Sequence, residues 1–174
     1  MNQVETLSRD ASFMKIALAE ARQASDKGEV PVGAVIVYRN QIVGKGYNRR
    51  EELQSPLAHA EILAIEEAAR TLGSWRLAQC HLFVTLEPCI MCVGAILQAR
   101  LHRVVFGCLD PKAGAVESLY RLCEDRRLNH QVSTVGAVLA EDSATLLGDF
   151  FNRLRERKRI LRNAERWPSP VEGA

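Results

Sequence analysis

After one tight two-strand unit the chain alternates strand and helix, and this alternation limits the folds open to it more than any other feature. Residues 32–37 and 41–47 are rich in β-formers and are separated by the short Arg39-Asn40 turn, which predicts an antiparallel hairpin. Downstream, residues 58–71 read as a helix, 81–85 as a strand, 90–99 as a helix and 103–106 as a strand. Residues 132–138 read as a further strand, and 142 to about 162 as a long helix. Upstream, Phe13, Ile16, Ala17 and Ala24 recur at helical period, which predicts a first helix over 8–27 with Ser8 as its N-cap and Gly28 as its stop. Strands joined through helices run parallel with right-handed crossovers. The expectation is an α/β fold: a mixed five-stranded sheet, antiparallel hairpin then parallel strands, with helices on both faces.

Residues 107–131, with Asp110-Pro111-Lys112-Ala113-Gly114, form the least regular interior segment, the kind that carries function. Trp167-Pro168-Ser169-Pro170 ends any helix, so one domain over 1–162 and a disordered tail over 163–174 are expected. The longest apolar run, 32–38, is far shorter than the ~18 residues of a membrane span, and the first fifteen residues contain no signal-peptide apolar region. A cytoplasmic protein without membrane contact is expected. Five cysteines is an odd number, and Cys89 and Cys92 form a C-x-x-C pair, which favours a reducing compartment with metal or redox use over a disulfide framework. Residues 1–150 carry a net charge of −2 and residues 151–167 a net +5. Such a basic block suits phosphate contact, and it equally suits a solvated helix end favoured by the helix dipole.

The chemistry-bearing residues sit where strands run into helices. His59-Ala60-Glu61 opens one predicted helix, and Pro88-Cys89-Ile90-Met91-Cys92 opens the next. Ligands of α/β sheets collect beyond the carboxyl ends of strands, so two loaded helix starts there reinforce each other. Spaced i, i+3, the two cysteines share one face of a first turn, where unpaired N–H groups favour thiolate. Two thiolates and an imidazole make three ligands for Zn²⁺, and three protein ligands with an open fourth position mark a catalytic site. Cys80, His81 and Cys108 read better as strand residues or a loop edge than as a fourth ligand. A carboxylate beside a metal-activated water can take its proton and return it to a substrate, the role open to Glu61.

Singly, a C-x-x-C or a His-x-Glu is common; together they form the general signature of the zinc-dependent nucleobase deaminases. The sequence resembles the bacterial tRNA-specific adenosine deaminases from about Phe13 to Arg159. The likeness runs through Gly28-Glu29-Val30-Pro31-Val32-Gly33-Ala34, Gly46-Tyr47-Asn48-Arg49, Ala58-His59-Ala60-Glu61, Thr85-Leu86-Glu87-Pro88-Cys89-Ile90-Met91-Cys92, Arg103-Val104-Val105-Phe106-Gly107 and Asp149-Phe150-Phe151. The resemblance implies a three-layer cytidine-deaminase-like fold, with His59, Cys89 and Cys92 as zinc ligands and Glu61 as proton shuttle. It implies that Asn48 hydrogen-bonds the base, and that backbone amides at Glu87 and beside Pro88 hold the water and leaving group. It further implies that Asp110, Lys112, Phe150, Phe151 and Arg153 lie along an RNA groove, in a homodimer acting on the tRNA anticodon loop. Leu57, Asn152 and Leu154 depart from the family pattern, as does Cys108.

The activity so implied is hydrolytic deamination of the wobble adenosine to inosine. An alternative is a zinc-dependent deaminase of a free base or nucleoside, guanine or cytosine/cytidine. A third is an RNA-binding or partner subunit that keeps zinc structurally. The Phe150-Phe151 pair and the basic tail favour RNA, since aromatics beside cations suit unpaired bases. An intact Glu61 disfavours the structural-zinc alternative.

Overall fold

β1 (Gly33–Tyr38) and β2 (Gln41–Tyr47) pair antiparallel through Arg39 and Asn40, whose φ angles of 48° and 64° are both left-handed. Such a turn matches the twist of the strands it joins. The structure, a computed structural model, describes residues 3–166, with side chains over 5–162. β3 (Cys80–Leu86) lies antiparallel to β1, while β4 (Arg103–Cys108) and β5 (Ser133–Val135) continue parallel to β3, giving the order β2-β1-β3-β4-β5. This is the expected five-stranded mixed sheet.

Alternation along β1 assigns its side chains to two cores. Ala34 and Ile36 face α3 (Ala60–Leu72) and α4 (Ile90–Gln98), joining Ala64, Ala68, Leu82, Val84, Val93, Ile96 and Phe106. Val35 and Val37 face the other way, joining Met14, Ala17, Leu18, Phe83 and Val105 under α1 (Gln3–Asp26) and α5 (Ala140–Arg166). The apolar run at 32–38 is therefore a strand buried on both sides, in a helix–sheet–helix sandwich.

Several boundaries differ from the sequence expectation. α1 starts at Gln3, so Ser8 is interior and not an N-cap; its carbonyl accepts the Ser12 hydroxyl at 3.0 Å. Gly28, at φ 80°, follows the helix end as expected. A single helical turn, α2 (Arg50–Leu53), is too short to leave a period in the sequence. β5 covers only three residues of the expected seven: left-handed Ala137 (φ 63°) breaks the regular ladder, though Ala137 and Val138 still donate to the Gly107 and Phe106 carbonyls of β4 at 3.2 Å. α5 runs past the expected end at Arg162 to Arg166; the Trp167-Pro168-Ser169-Pro170 stop and the rest of the expected tail lie outside the described residues. Among the described residues no helix is long and apolar enough to cross a membrane.

A buried ion pair ties α1 to the sheet. The Arg103 guanidinium donates to both Asp10 oxygens, at 2.9 and 2.7 Å, and the Asp10 side chain is 1% exposed. Removing one partner of a buried pair strands the other charge. Asp10→Ala should therefore destabilise the fold by ~3 kcal/mol, read as a lowered denaturant midpoint with an unchanged slope.

Candidate active site

His59 and Cys89 are the N-cap residues of α3 and α4, and both have extended backbones at φ −78° and −77°. N-cap side chains ordinarily turn back onto their own helix. Neither of these does, so both are free to reach across the gap between the two helix starts. Cys92, one turn into α4, is fully buried. His59 Nδ1 lies 3.7 Å from Cys89 Sγ and 3.5 Å from Cys92 Sγ, and the three ligand atoms fall within 4.8 Å of one another. Zn–S bonds of ~2.3 Å and Zn–N bonds of ~2.0 Å at a tetrahedral angle span about 3.6 Å from N to S, so the donor set fits zinc in spacing as well as in chemistry.

The protonation pattern points the same way. A hydrogen bond from Cys92 holds the Cys89 thiol at about 4, burial opposing and His59 assisting. Cys92 is pushed far up by that same hydrogen bond, by burial and by the Glu61 charge. His59 is raised by its hydrogen bond to Cys89, against burial. A cation held by the triad would displace the thiol protons and keep both sulfurs as thiolates.

Glu61, in the first turn of α3, is 4% exposed. Burial raises its carboxyl pKa, moving it toward the range where a carboxyl both takes and returns a proton. A cavity of about 220 Å³ opens over these groups, its wall including Val30, Asn48, Glu61, Leu86, Asp110 and Ala113. That volume is below the ~300–1,000 Å³ of drug-sized sites and suits a single base.

The structure brings together His59, Glu61, Cys89 and Cys92 with Asn48 and Asp110, and leaves other expected residues apart. Phe150 and Phe151, edge to face at 5.4 Å, line a second groove with Glu29, Glu51 and Leu154. This groove shares Val30, Asn48 and Arg50 with the cavity. Lys112 is exposed and lines neither hollow. Arg153 donates to the Ser25 hydroxyl at 2.9 Å and belongs to a separate basic hollow along α5, with Arg155, Lys158 and Arg162. The Glu87 backbone amide is not open to a water or leaving group: it donates to the Cys108 carbonyl at 2.9 Å, carrying the β3–β4 ladder one residue further.

Sequence reading gave Glu29 no role. Its carboxylate, 2% exposed, accepts the Asn48 side-chain amide at 3.2 Å and the Glu52 backbone amide at 2.8 Å, fixing Asn48 and α2 together. The only signal was its place in the Gly28-to-Ala34 motif. Glu87 is likewise buried, and although burial alone would raise its carboxyl, hydrogen bonds from Ser118, Glu117 and Asp110 bring it below the usual value.

The family model for the cytidine and deoxycytidylate deaminase zinc-binding region matches residues 7–108. The chain belongs to this deaminase family. This deaminase is 46% identical over 156 residues to the tRNA-specific adenosine deaminase of Bacillus subtilis (strain 168), covering 90% of this chain and 97% of that one. It superposes with a TM-score of 0.76 on a structure from a study of A-to-I editing by tRNA:A34 deaminases at the wobble position of transfer RNA. That match has 43% identity and covers 78% of this chain and 99% of the other. The guanine deaminase of Nitrosomonas europaea, at TM-score 0.66 and 22% identity over 80% of this chain and 83% of its own, shares the fold.

The triad generates a direct test. The protein purified with zinc should hold about one ion per chain, and Cys89→Ala or Cys92→Ala should lose it by elemental analysis. Full metal content in either variant would remove that residue from the ligand set.

Proposed function

We propose that this chain hydrolyses adenosine to inosine at the wobble position of a tRNA anticodon, with His59, Cys89 and Cys92 holding one zinc ion and Glu61 moving protons. Residues 1–162 act as one catalytic domain, and the cytoplasm is where such a protein would meet tRNA. The observation that carries the reading is buried Glu61 beside the His–Cys–Cys triad, in a base-sized cavity continuous with a groove floored by Phe150 and Phe151. A free base would fill the cavity and leave the groove unused. Flanking nucleotides of an unpaired loop would stack there, beside Arg50, with the basic hollow on the same helix α5.

Zinc held by the triad supplies the Lewis acidity that makes water a nucleophile at neutral pH. The chain's own residues do the rest. Asn48, held by Glu29, fixes the base edge. Glu61 takes a proton from the attacking water and passes it to the ring nitrogen as oxygen bonds to C6. A second proton, taken from the new hydroxyl, goes to the exocyclic amine as the C6–N bond breaks, so adenosine and water become inosine and ammonia. Asp110, in the cavity wall, and the exposed Lys112 two residues on border the entry used by the RNA backbone, with Arg153 farther along on α5.

Inosine should form on tRNA or an anticodon stem-loop, with no conversion of free adenosine, guanine or cytidine by nucleoside chromatography. Glu61→Ala should keep its zinc and lose ~10²–10⁴-fold in turnover. Deamination of a free base with RNA untouched would favour the alternative, and loss of metal from Glu61→Ala would make Glu61 a ligand.

The protein acts as a homodimer in this reading. Leu57, Ile90, Leu119 and Tyr120 are each at least 50% exposed, on segments that flank His59, Cys89 and the cavity loop, where a second copy would cover them. Sedimentation equilibrium should give twice the 19.4 kDa chain mass, and Ile90→Asp should shift it toward monomer. A wild-type monomer at micromolar concentration would overturn this.

A further inference from the structure

Glu87 follows the end of β3, two residues before Cys89, and its carboxylate is received by the irregular segment 110–118. Its Oε1 accepts the backbone N–H groups of Val116, Glu117 and Ser118 at 3.1, 2.7 and 2.9 Å. Its Oε2 accepts the Asp110 N–H at 2.9 Å and the Ser118 hydroxyl. All five donors come from this one segment, which has no helix or strand to satisfy them otherwise. The segment answers in kind: Ala115 N–H donates to the Pro88 carbonyl at 2.9 Å, and Gly114 bridges to Cys89. A Cβ on Gly114 would collide with the Glu87 carboxylate, so the loop closes onto that group with no room for a side chain.

We propose that Glu87 is a positioning residue: its carboxylate fixes the 110–118 loop to the turn that carries Cys89, and so sets the cavity wall formed by Asp110 and Ala113 against the metal-binding triad. Glu87 lies outside the ligand set, and although the residue contributes to the cavity wall, its carboxylate oxygens are taken up by the loop. Asp110 is set in turn, because its Oδ1 accepts the Lys112 and Ala113 amides at 3.0 and 3.3 Å, making the loop one unit suspended from Glu87. Five donors converging on one group require an acceptor-only partner. Glutamine keeps the shape of glutamate but turns one of its two atoms into a donor, which cannot face the loop amides. This inference rests on the cavity being the adenosine site.

The test compares wild type with Glu87→Gln, Gly114→Ala and the milder Ser118→Ala, as full-length zinc-loaded proteins. Glu87→Gln should keep its zinc and its exchange protection in α4, while amides at Asp110 and Val116 to Ser118 exchange ~100-fold faster. On the anticodon stem-loop, KM should rise ~10-fold with kcat changed less than about 3-fold, since the loss lies in positioning rather than proton transfer. Gly114→Ala should reproduce the pattern from the loop side, and Ser118→Ala should show it more weakly. Ser118→Ala also decides the matter if Glu87→Gln fails to fold. Unchanged loop exchange, zinc lost along with loop order, or kcat reduced at constant KM would each overturn the proposal. Exchange and metal content need no substrate. A wild type inactive on RNA would therefore remove the adenosine reading, while the exchange arm still decides whether Glu87 holds the loop.

Discussion

Burial of three carboxylates around one small cavity sets the terms on which this fold can exist. Glu29, Glu61 and Glu87 are each at most 4% exposed, and a carboxylate taken out of water costs several kcal/mol unless its lone pairs are filled. Glu29 and Glu87 are filled by amides of segments that would otherwise have no fixed place, the α2 turn and the 110–118 loop. The cost of burying charge and the cost of ordering loops therefore offset each other. Glu61 has no such set of amides: its carboxyl meets its own backbone amide and the Cys92 thiol. It is left as the carboxyl that can exchange a proton.

The sheet enforces this division of labour. β3 and β4 run parallel, so their carboxyl ends and the following helix start open on the same edge, and β1 brings the Val32-to-Asn48 side of the hairpin to it from the antiparallel direction. His59 and Cys89 both stand at N-caps without capping, giving up helix stabilisation of ~1 kcal/mol each in exchange for side chains free to converge. The far end of the sheet carries the opposite arrangement, with Asp10 and Arg103 locked in a pair.

The parts legible in the sequence were those encoded by local spacing. Period-2 and period-3.6 patterns placed all five strands, the last too long, and the long helices, and His-x-Glu with Cys-x-x-Cys marked the triad and Glu61. The parts missed depend on partners remote in the chain. Asp10 meets Arg103, Glu29 meets Asn48 and Glu52, and Glu87 meets Val116 to Ser118, across separations that no window of spacing reveals. Ser8 misled because a serine followed by an apolar period looks the same whether it caps a helix or sits inside one. Arg153 belonged to the right helix, but helical phase turned it toward Ser25 and the basic hollow rather than the aromatic groove.

From Phe151 to Arg162 every residue of α5 is exposed; Arg153 still holds Ser25 and Leu154 still lines the aromatic groove, while the later turns carry most of the charge. At ~1.5 Å per residue this stretch extends for ~18 Å, roughly two Debye lengths at physiological ionic strength. Its guanidinium and ammonium groups would therefore meet an approaching polyanion before the cavity does. If the substrate is the proposed RNA, encounter would begin on the later, charged turns of this helix, away from the triad where the bond is broken. Ionic strength would then act as a throttle on arrival, leaving the speed of bond breaking in the docked state untouched.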